Sequence, residues 1–159
     1  MKPNIGLPDK SRDAVVKVLN VLLADEYVLY TRTRSFHWNV VGPNFAELHA
    51  FFQAQYEALD AIVDEVAERA RTLGGAAAGS LGEFLKLTRL KESPAAPKDA
   101  PGMLGALLED HEAVIQALRR DLALVDERHG DIGTNDFLTG LMERHEKMAW
   151  MLRAHLAGK

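Results

Sequence analysis

Two histidines and two carboxylates between His37 and Glu68 are the residues of this chain best suited to binding a transition metal. His37 and His49 offer imidazole nitrogens, and Asp64 and Glu68 offer carboxylate oxygens, a ligand set that iron, zinc and manganese accept. Whether these side chains could share an ion depends on the elements that carry them.

A helix that carries three of these residues is predicted to begin at Asn44. Gly42 and Pro43 break the preceding segment, and Asn44 with Glu47 has the Asn-x-x-Glu pattern of a capping box. The helix can then continue without interruption to Leu73, where two glycines stop it.

This helix has two different faces when it is projected at about 100° per residue. The apolar face should contact the protein core and consists of Phe45, Leu48, Phe52, Leu59, Ile62, Val63, Val66 and Leu73. The opposite face is acidic, contains small residues and lacks Lys and Arg; its polar members are His49, Gln53, Glu57, Asp60, Asp64 and Glu68. The candidate ligands on this helix therefore point away from the core.

His49 and Asp64 cannot bind the same ion within one chain, because fifteen residues of helix separate them by roughly 22 Å along the axis. A second copy packed antiparallel on this face, about a twofold axis near Glu57, would bring His49 of one chain level with Asp64 and Glu68 of the other. Two equivalent sites would then form between the subunits. The alternative is an acidic helix face exposed to solvent, which is common in proteins.

The composition indicates one helical domain, with 159 residues of which 47% are hydrophobic and only 7% aromatic. Cysteine is absent, which excludes disulfides and thiolate metal sites and is typical of a reducing cytoplasm. No segment has the pattern of a signal peptide or the roughly 20 apolar residues of a membrane-spanning helix. We therefore expect a cytoplasmic protein, and a net charge of −4 argues against nucleic-acid binding by the whole surface.

The hydrophobic pattern predicts four long helices in a single all-α domain, 1–159, after an irregular tail at 1–8. The predicted spans are about 10–39, 44–73, 101–128 and 134–156. A crossover at 75–100, rich in Gly, Ala, Ser and Pro and with one short helix near 81–87, separates the second and third long helices. Short connections make the other neighbours antiparallel, so the predicted architecture is a ferritin-like four-helix bundle with one long crossover.

A metal site inside such a bundle is not expected, because the Glu-x-x-His motif of many interior di-iron sites does not occur in this chain. The residues three positions before the histidines are Arg34, Ala46, Leu108, Asp126, Met142 and Leu152. The remaining histidines have no carboxylate partner at a convincing ligand spacing. Ordinary surface or core roles are therefore expected for His111, His129, His145 and His155.

Two segments resemble the signature of the Dps family, the DNA-binding proteins from starved cells, which are small ferritins. They are FHWNVVGPNFAELHAFF at 36–52 and LDAIVDEVAERARTLGG at 59–75. The segment GDIGTNDFLTGLMERHEKMAWMLR at 130–153 is similar to the last helix of the family. The three segments lie between residues 36 and 153, so the resemblance extends over most of the chain.

The resemblance implies a hollow dodecamer that oxidises Fe(II), preferably with hydrogen peroxide, stores the ferric mineral and so protects against oxidative stress. It also implies a ferroxidase centre at a twofold interface, with one or two irons. His37 and His49 of one subunit would build this centre together with Asp64 and Glu68 of its neighbour. The helical geometry alone gives the same pairing for three of these four residues.

One position departs from the family pattern. Many members carry Asp one turn after the second histidine, where this chain has Gln53. A neutral amide binds a hard cation less well than a carboxylate, so we expect weaker binding of a second iron, with Gln53 as an additional candidate ligand.

The resemblance further implies an acidic threefold pore through which iron reaches the cavity. Asp131 and Asp136 are the matching residues, and a ring of carboxylates attracts cations. The alternative is that both residues favour the start of the last helix, as acidic residues do.

DNA compaction is the alternative function, because family members that bind DNA do so through Lys- and Arg-rich terminal tails. Here Lys2, Lys10 and Arg12 are offset by two aspartates, so only weak DNA binding is expected. A third interpretation is a helical scaffold without catalytic activity.

Overall fold

The computed structural model describes residues 2–92 and 97–157, and these residues form helices and loops only. The helices are α1 (Asp9–Asn39), α2 (Phe45–Thr72), α3 (Leu81–Leu87), α4 (Ala100–His129) and α5 (Ile132–Leu156). The predicted all-α fold class is confirmed, and the predicted ends of the long helices agree with the observed ends to within two residues. Part of the predicted crossover, 93–96, lies outside the described residues. Within the described ranges, no helix is both long and apolar enough to cross a membrane.

Ion pairs between the helices establish their directions. Asp25 of α1 is linked through Arg89 to Asp121 of α4. Further along α1, Arg32 pairs with Asp110, which precedes Asp121 in α4. α4 therefore runs antiparallel to α1 and parallel to α2, as the long crossover predicted.

A continuous apolar core joins the four long helices. Its largest fully buried side chains are Phe52, Leu19, Leu22, Leu23, Leu29, Leu59, Ile62, Leu73, Leu107, Leu118, Leu138 and Leu141. The predicted core face of α2 is buried or partly buried with one exception. The prediction that Phe45 faces the core is wrong, because it is the first residue of α2 and its ring, 46% exposed, lies against His49 instead.

The start of α2 differs from the predicted capping box. Asn44 is the N-cap residue, but its side chain makes no capping hydrogen bond. Its backbone, at φ −99° and ψ 24°, is not in the extended conformation that N-cap residues usually adopt. The chain enters the helix through a tight turn in which Phe45 N–H donates to Gly42 O at 3.1 Å. A capping box is found instead at α3, where Ser80 and Glu83 bond reciprocally.

The crossover is packed firmly against α1. Tyr27 stacks on Phe84 of α3 with 4.4 Å between ring centroids. After α3, Arg89 donates hydrogen bonds to Asp25 at 2.7 Å and to Asp121 at 2.8 Å. Burial raises the pKa of Asp121, because the lost solvation outweighs the hydrogen bond from Arg89. The segment that separates the two helix pairs is therefore tied to both of them.

Candidate metal centre

His37 and His49 meet where α1 ends and α2 begins. α1 ends at Asn39, the loop 40–44 reverses the chain, and His49 lies just over one turn into α2. The two imidazole rings stack with 3.8 Å between centroids and 24° between planes. His37 is 8% exposed, and His49 is partly exposed. The structure thus brings these two predicted ligands side by side.

Each of these imidazoles is held by the backbone of the other residue. His37 Nδ1 lies 2.8 Å from the carbonyl oxygen of His49, and His49 Nδ1 lies 2.9 Å from the carbonyl oxygen of His37. A carbonyl oxygen can only accept, so both δ nitrogens carry the hydrogen. In the neutral rings, both Nε2 atoms therefore keep a free lone pair. Metal-binding histidines are oriented in this manner, by a hydrogen bond from their second nitrogen.

The local sequence makes this arrangement possible. Carbonyl groups in the last turn of a helix have no partner four residues ahead, so the His37 oxygen is free to accept from His49. Val40 is extended and ends α1, and its N–H donates to Phe36 O at 2.9 Å. Gly42 has φ +118°, which residues with a side chain rarely adopt, so the reversal depends on glycine there.

Aromatic and apolar side chains surround the histidine pair. Tyr56 meets His37 edge-on with 5.2 Å between centroids, and Arg34 lies over the Tyr56 ring at 5.0 Å. Trp38 is 65% exposed and Val41 is 69% exposed. These two large apolar side chains border the site without being covered by this chain.

Asp64 and Glu68 lie on the same exposed face of α2 but far from the histidines. α2 is one unbroken helix, so Asp64 is roughly 22 Å from His49 along the axis. All polar members of this face after His49 are exposed, as predicted: Gln53, Glu57, Asp60, Asp64 and Glu68. Within residues 2–92 and 97–157, no three or more His, Asp and Glu side chains gather into a group that could hold a metal ion.

Gln53 is oriented by its neighbour one turn further along α2. Its Nε2 amide group donates to Glu57 Oε1 at 2.8 Å. Since a carboxylate accepts, the amide presents its N–H group to Glu57 and its carbonyl oxygen remains free. Gln53 can therefore offer an uncharged oxygen ligand on this face.

The two residues matched to an iron-access pore have different surroundings. Asp131 is 3% exposed; its carboxylate accepts from Thr134 N at 3.0 Å and from Thr134 Oγ1 at 2.6 Å. Arg69 also donates to it, at 3.3 Å. Asp131 thus forms the N-cap of α5 in this chain, whereas Asp136 is exposed.

Sequence reasoning missed a polar network inside the bundle. His145 has a core role, as expected, but its carboxylate partner was not foreseen: His145 lies 2.9 Å from Glu26 Oε1 across the core. His111 lies 2.9 Å from the other nitrogen of His145, and all three side chains are fully buried. Ligand spacing cannot reveal this contact, since the residues belong to three different helices. The available signal was Glu26, which occupies a position between Leu22 and Leu29 on the apolar stripe of α1.

Comparison with known proteins shows likeness over nearly the whole chain. Residues 16–158 match the Ferritin-like domain family. The chain is 47% identical over 156 residues to an uncharacterized low temperature-induced protein of Nostoc sp., covering 98% of this chain and 87% of the relative. It is 36% identical over 142 residues to DNA protection during starvation protein 2 of Bacillus anthracis, covering 89% and 96%. The fold matches the crystal structure of the Dps protein from Vibrio cholerae O1, described as a member of a broad superfamily of ferritin-like diiron-carboxylate proteins. That match has a TM-score of 0.90 and 33% identity, and covers 98% of this chain and 96% of the other.

Proposed function

Since the chain belongs to the ferritin-like family and, within it, to the Dps proteins, we propose that it oxidises Fe(II) at sites between subunits, with hydrogen peroxide as oxidant. The ferric product is stored inside a cage of twelve copies. The protein acts in the cytoplasm and limits oxidative stress. Iron is the substrate and the stored cargo of this activity.

The observation that carries this proposal is the pair of free Nε2 lone pairs on His37 and His49. Both δ nitrogens are bonded to backbone carbonyls, so both rings are fixed in the tautomer that binds a metal. The rings need no rearrangement to present their lone pairs. An acidic helix face exposed only to solvent would not require such a pair.

A second copy of the chain supplies the missing carboxylates. With antiparallel packing about a twofold axis near Glu57, Asp64 and Glu68 of the partner come level with His49. Exposed apolar side chains next to the histidines support an interface at this place, because large apolar groups clustered beside a polar site mark contact surfaces. They are Trp38, Val41 and Phe45, at 65%, 69% and 46% exposure.

The imidazole and carboxylate ligands have different roles in the reaction. His37 and His49 bind Fe(II), for which imidazole is suited, whereas Asp64 and Glu68 of the partner favour the harder Fe(III). The site therefore both captures Fe(II) and promotes its oxidation. Hydrogen peroxide takes two electrons, so two irons give two Fe(III) and two hydroxide ions without releasing hydroxyl radical. With Gln53 in place of a carboxylate, the second iron is held more weakly than the first.

Iron reaches the cavity through a pore lined by acidic residues near the start of α5. Asp136 is exposed and available to such a ring. Asp131 would join this ring with a carboxylate that also accepts hydrogen bonds from Thr134 and Arg69. A ring of carboxylates would concentrate Fe(II) by focusing the electric field.

Anaerobic addition of Fe(II) followed by peroxide tests the activity. We expect a fast rise in near-ultraviolet absorbance, completed with about one peroxide for each two irons, because each peroxide accepts two electrons. Size-exclusion chromatography of the same sample should show a cage that retains the iron. A His129→Gln variant, changed at the end of α4 away from the site, should behave as wild type. A rate no faster than that of iron in buffer would contradict the proposal.

DNA compaction is less well supported by the structure. The relative from Bacillus anthracis is named for DNA protection. In this chain, however, Lys2 and Arg12 both pair with Asp9, which offsets part of the positive charge of the N-terminal segment. Lys10 is exposed, but it is flanked by Asp9 and Asp13.

We therefore expect weak DNA binding that is lost on a modest increase in salt. Phosphate-driven affinity falls steeply with salt concentration, and few phosphate contacts give little affinity from the start. A gel-shift assay at about 0.05 M and about 0.2 M salt measures this dependence. Retardation that persists at the higher concentration would favour a nucleoid function instead.

A further inference from the structure

Glu26, His145 and His111 form a hydrogen-bonded chain across the interior of the bundle. They belong to α1, α5 and α4, and each side chain is 0% exposed. His145 Nε2 is 2.9 Å from Glu26 Oε1, and His145 Nδ1 is 2.9 Å from His111 Nδ1. The two outer atoms, Glu26 Oε2 and His111 Nε2, are buried without a hydrogen-bond partner. Both ends of the chain of bonds therefore lie inside the core.

With Glu26 ionised, hydrogen bonding and charge balance determine where the protons lie. A carboxylate accepts, so His145 donates its Nε2–H to Glu26. If His111 donated to His145, both imidazoles would be neutral and the core would hold an isolated negative charge, which is costly. If His145 donates with both nitrogens, its imidazolium balances the carboxylate of Glu26. The network is then neutral, and His111 accepts through Nδ1.

We propose that Glu26, His145 and His111 form an acid-sensitive lock, which joins α1, α4 and α5 at neutral pH and opens when His111 takes up a proton. This proposal concerns the stability of the bundle and does not depend on iron chemistry at the subunit interface.

A proton added to His111 cannot be accommodated in the observed geometry. Once His111 is an imidazolium, both facing δ nitrogens carry hydrogens and neither can accept, so the bond of 2.9 Å must break. Two positive rings would then share one carboxylate in the low dielectric of the core. Opening the contact between α4 and α5 relieves both problems.

Within the described residues, no charged group outside the network lies near enough to His111 to stabilise that proton. On α4, the adjacent Asp110 is paired with Arg32 of α1. The polar side chain that α2 buries is the uncharged Gln55, and the acidic residues of α2 from Glu57 to Glu68 are exposed or half-buried. The charged residues of α3 are exposed as well. Accordingly, burial and the positive charge on His145 lower the pKa of His111 well below the ordinary histidine value.

The direction of the pH effect follows from proton linkage. In the unfolded chain, His111 binds a proton below its ordinary pKa of about 6.5, whereas in the folded protein it does not. The unfolded state therefore gains a proton as the pH falls, and the folded state loses stability. Near and above neutral pH, His111 causes no loss of folding stability. One such proton changes the unfolding equilibrium constant by up to about tenfold per pH unit.

Urea unfolding of the assembled protein at about pH 7.5, 6 and 5 tests the lock, with wild type compared to His111→Gln. Between about pH 6 and 5, the unfolding constant of wild type should increase roughly tenfold more than that of the variant. All other titratable residues are the same in the two proteins, so the difference between them reports on residue 111. The matched control His129→Gln should keep the wild-type dependence. Equal pH dependence in wild type and His111→Gln would overturn the proposal.

Hydrogen exchange on the wild-type protein decides the question if His111→Gln does not fold. At about pH 5.5, after correction for intrinsic rates, amides of α4 near His111 and of α5 near His145 should lose protection relative to about pH 7.5. Amides of α1 around Glu26 should also lose protection. Acid-induced exchange confined to other segments, or none at all, would overturn the lock.

Discussion

Subunits that lack the histidine half of the site, mixed with subunits that lack the carboxylate half, should regain about a quarter of the wild-type ferroxidase sites. The two parents are His37→Ala/His49→Ala and Asp64→Ala/Glu68→Ala. Each parent alone should lose the fast oxidation phase, because each of its sites lacks half of the ligands. The mixture regains activity only if the two halves come from different chains.

The expected fraction follows from the symmetry of a twofold dimer, which contains two equivalent sites. Random association makes about half of the dimers mixed. In a mixed dimer, one site receives both defective halves, and the other combines intact histidines from one chain with intact carboxylates from the partner. Half of the sites in half of the dimers are therefore complete. Refolding the parents together and measuring the amplitude of the peroxide-driven phase gives the recovered fraction.

A matched mixture controls for nonspecific recovery. Subunits that lack the histidines are refolded with subunits that lack all four ligands, so that no pairing can complete a site. That mixture should remain inactive while forming assemblies of the same size. Recovery of activity in this control mixture would show that the site is not built between chains. The same conclusion would follow if the complementary mixture contained mixed dimers but regained no activity.

The fold was largely predictable because its signals are local. Pro43 and the glycines near Gly74 mark the two ends of a helix. The apolar periodicity of each long helix continues over many turns. The short helix α3 was also placed correctly, at Leu81–Leu87. Phe45 was misplaced because its periodic position does not reveal that the bundle ends there. A hydrophobic pattern gives the direction of a side chain but not whether another helix reaches it.

The sequence placed the candidate ligands on their helices but did not give the contacts between them. Sequence reasoning placed His37 and His49 on adjacent helix ends and gave the distance from His49 to Asp64. It could not give the two hydrogen bonds in which each imidazole donates to the backbone carbonyl of the other histidine. These bonds depend on the rotation of α1 and α2 about their axes. The interior contact of Glu26 with His145 was missed for a related reason. Spacing rules act within one helix, and this pair spans two helices at opposite ends of the chain.

Replacing Gln53 with Asp should strengthen the binding of the second Fe(II) by at least about tenfold, because a carboxylate attracts a hard cation more strongly than an amide oxygen. The side chain is already on the exposed face of α2, and its amide N–H group, rather than its oxygen, bonds to Glu57. Without metal, the new charge would lie one turn from Glu57 and be repelled by it. Metal binding removes this repulsion, which adds to the gain in affinity.

Anaerobic calorimetric titration with Fe(II) measures this change as a tighter second binding phase in Gln53→Asp. The control is Gln116→Asp, which adds the same charge at an exposed position of α4, on a different helix from Gln53. Its second phase should match wild type, because a distant surface charge is screened by salt. An equal gain in both variants would assign the effect to net charge. An unchanged second phase in Gln53→Asp would mean that residue 53 does not contact the second iron.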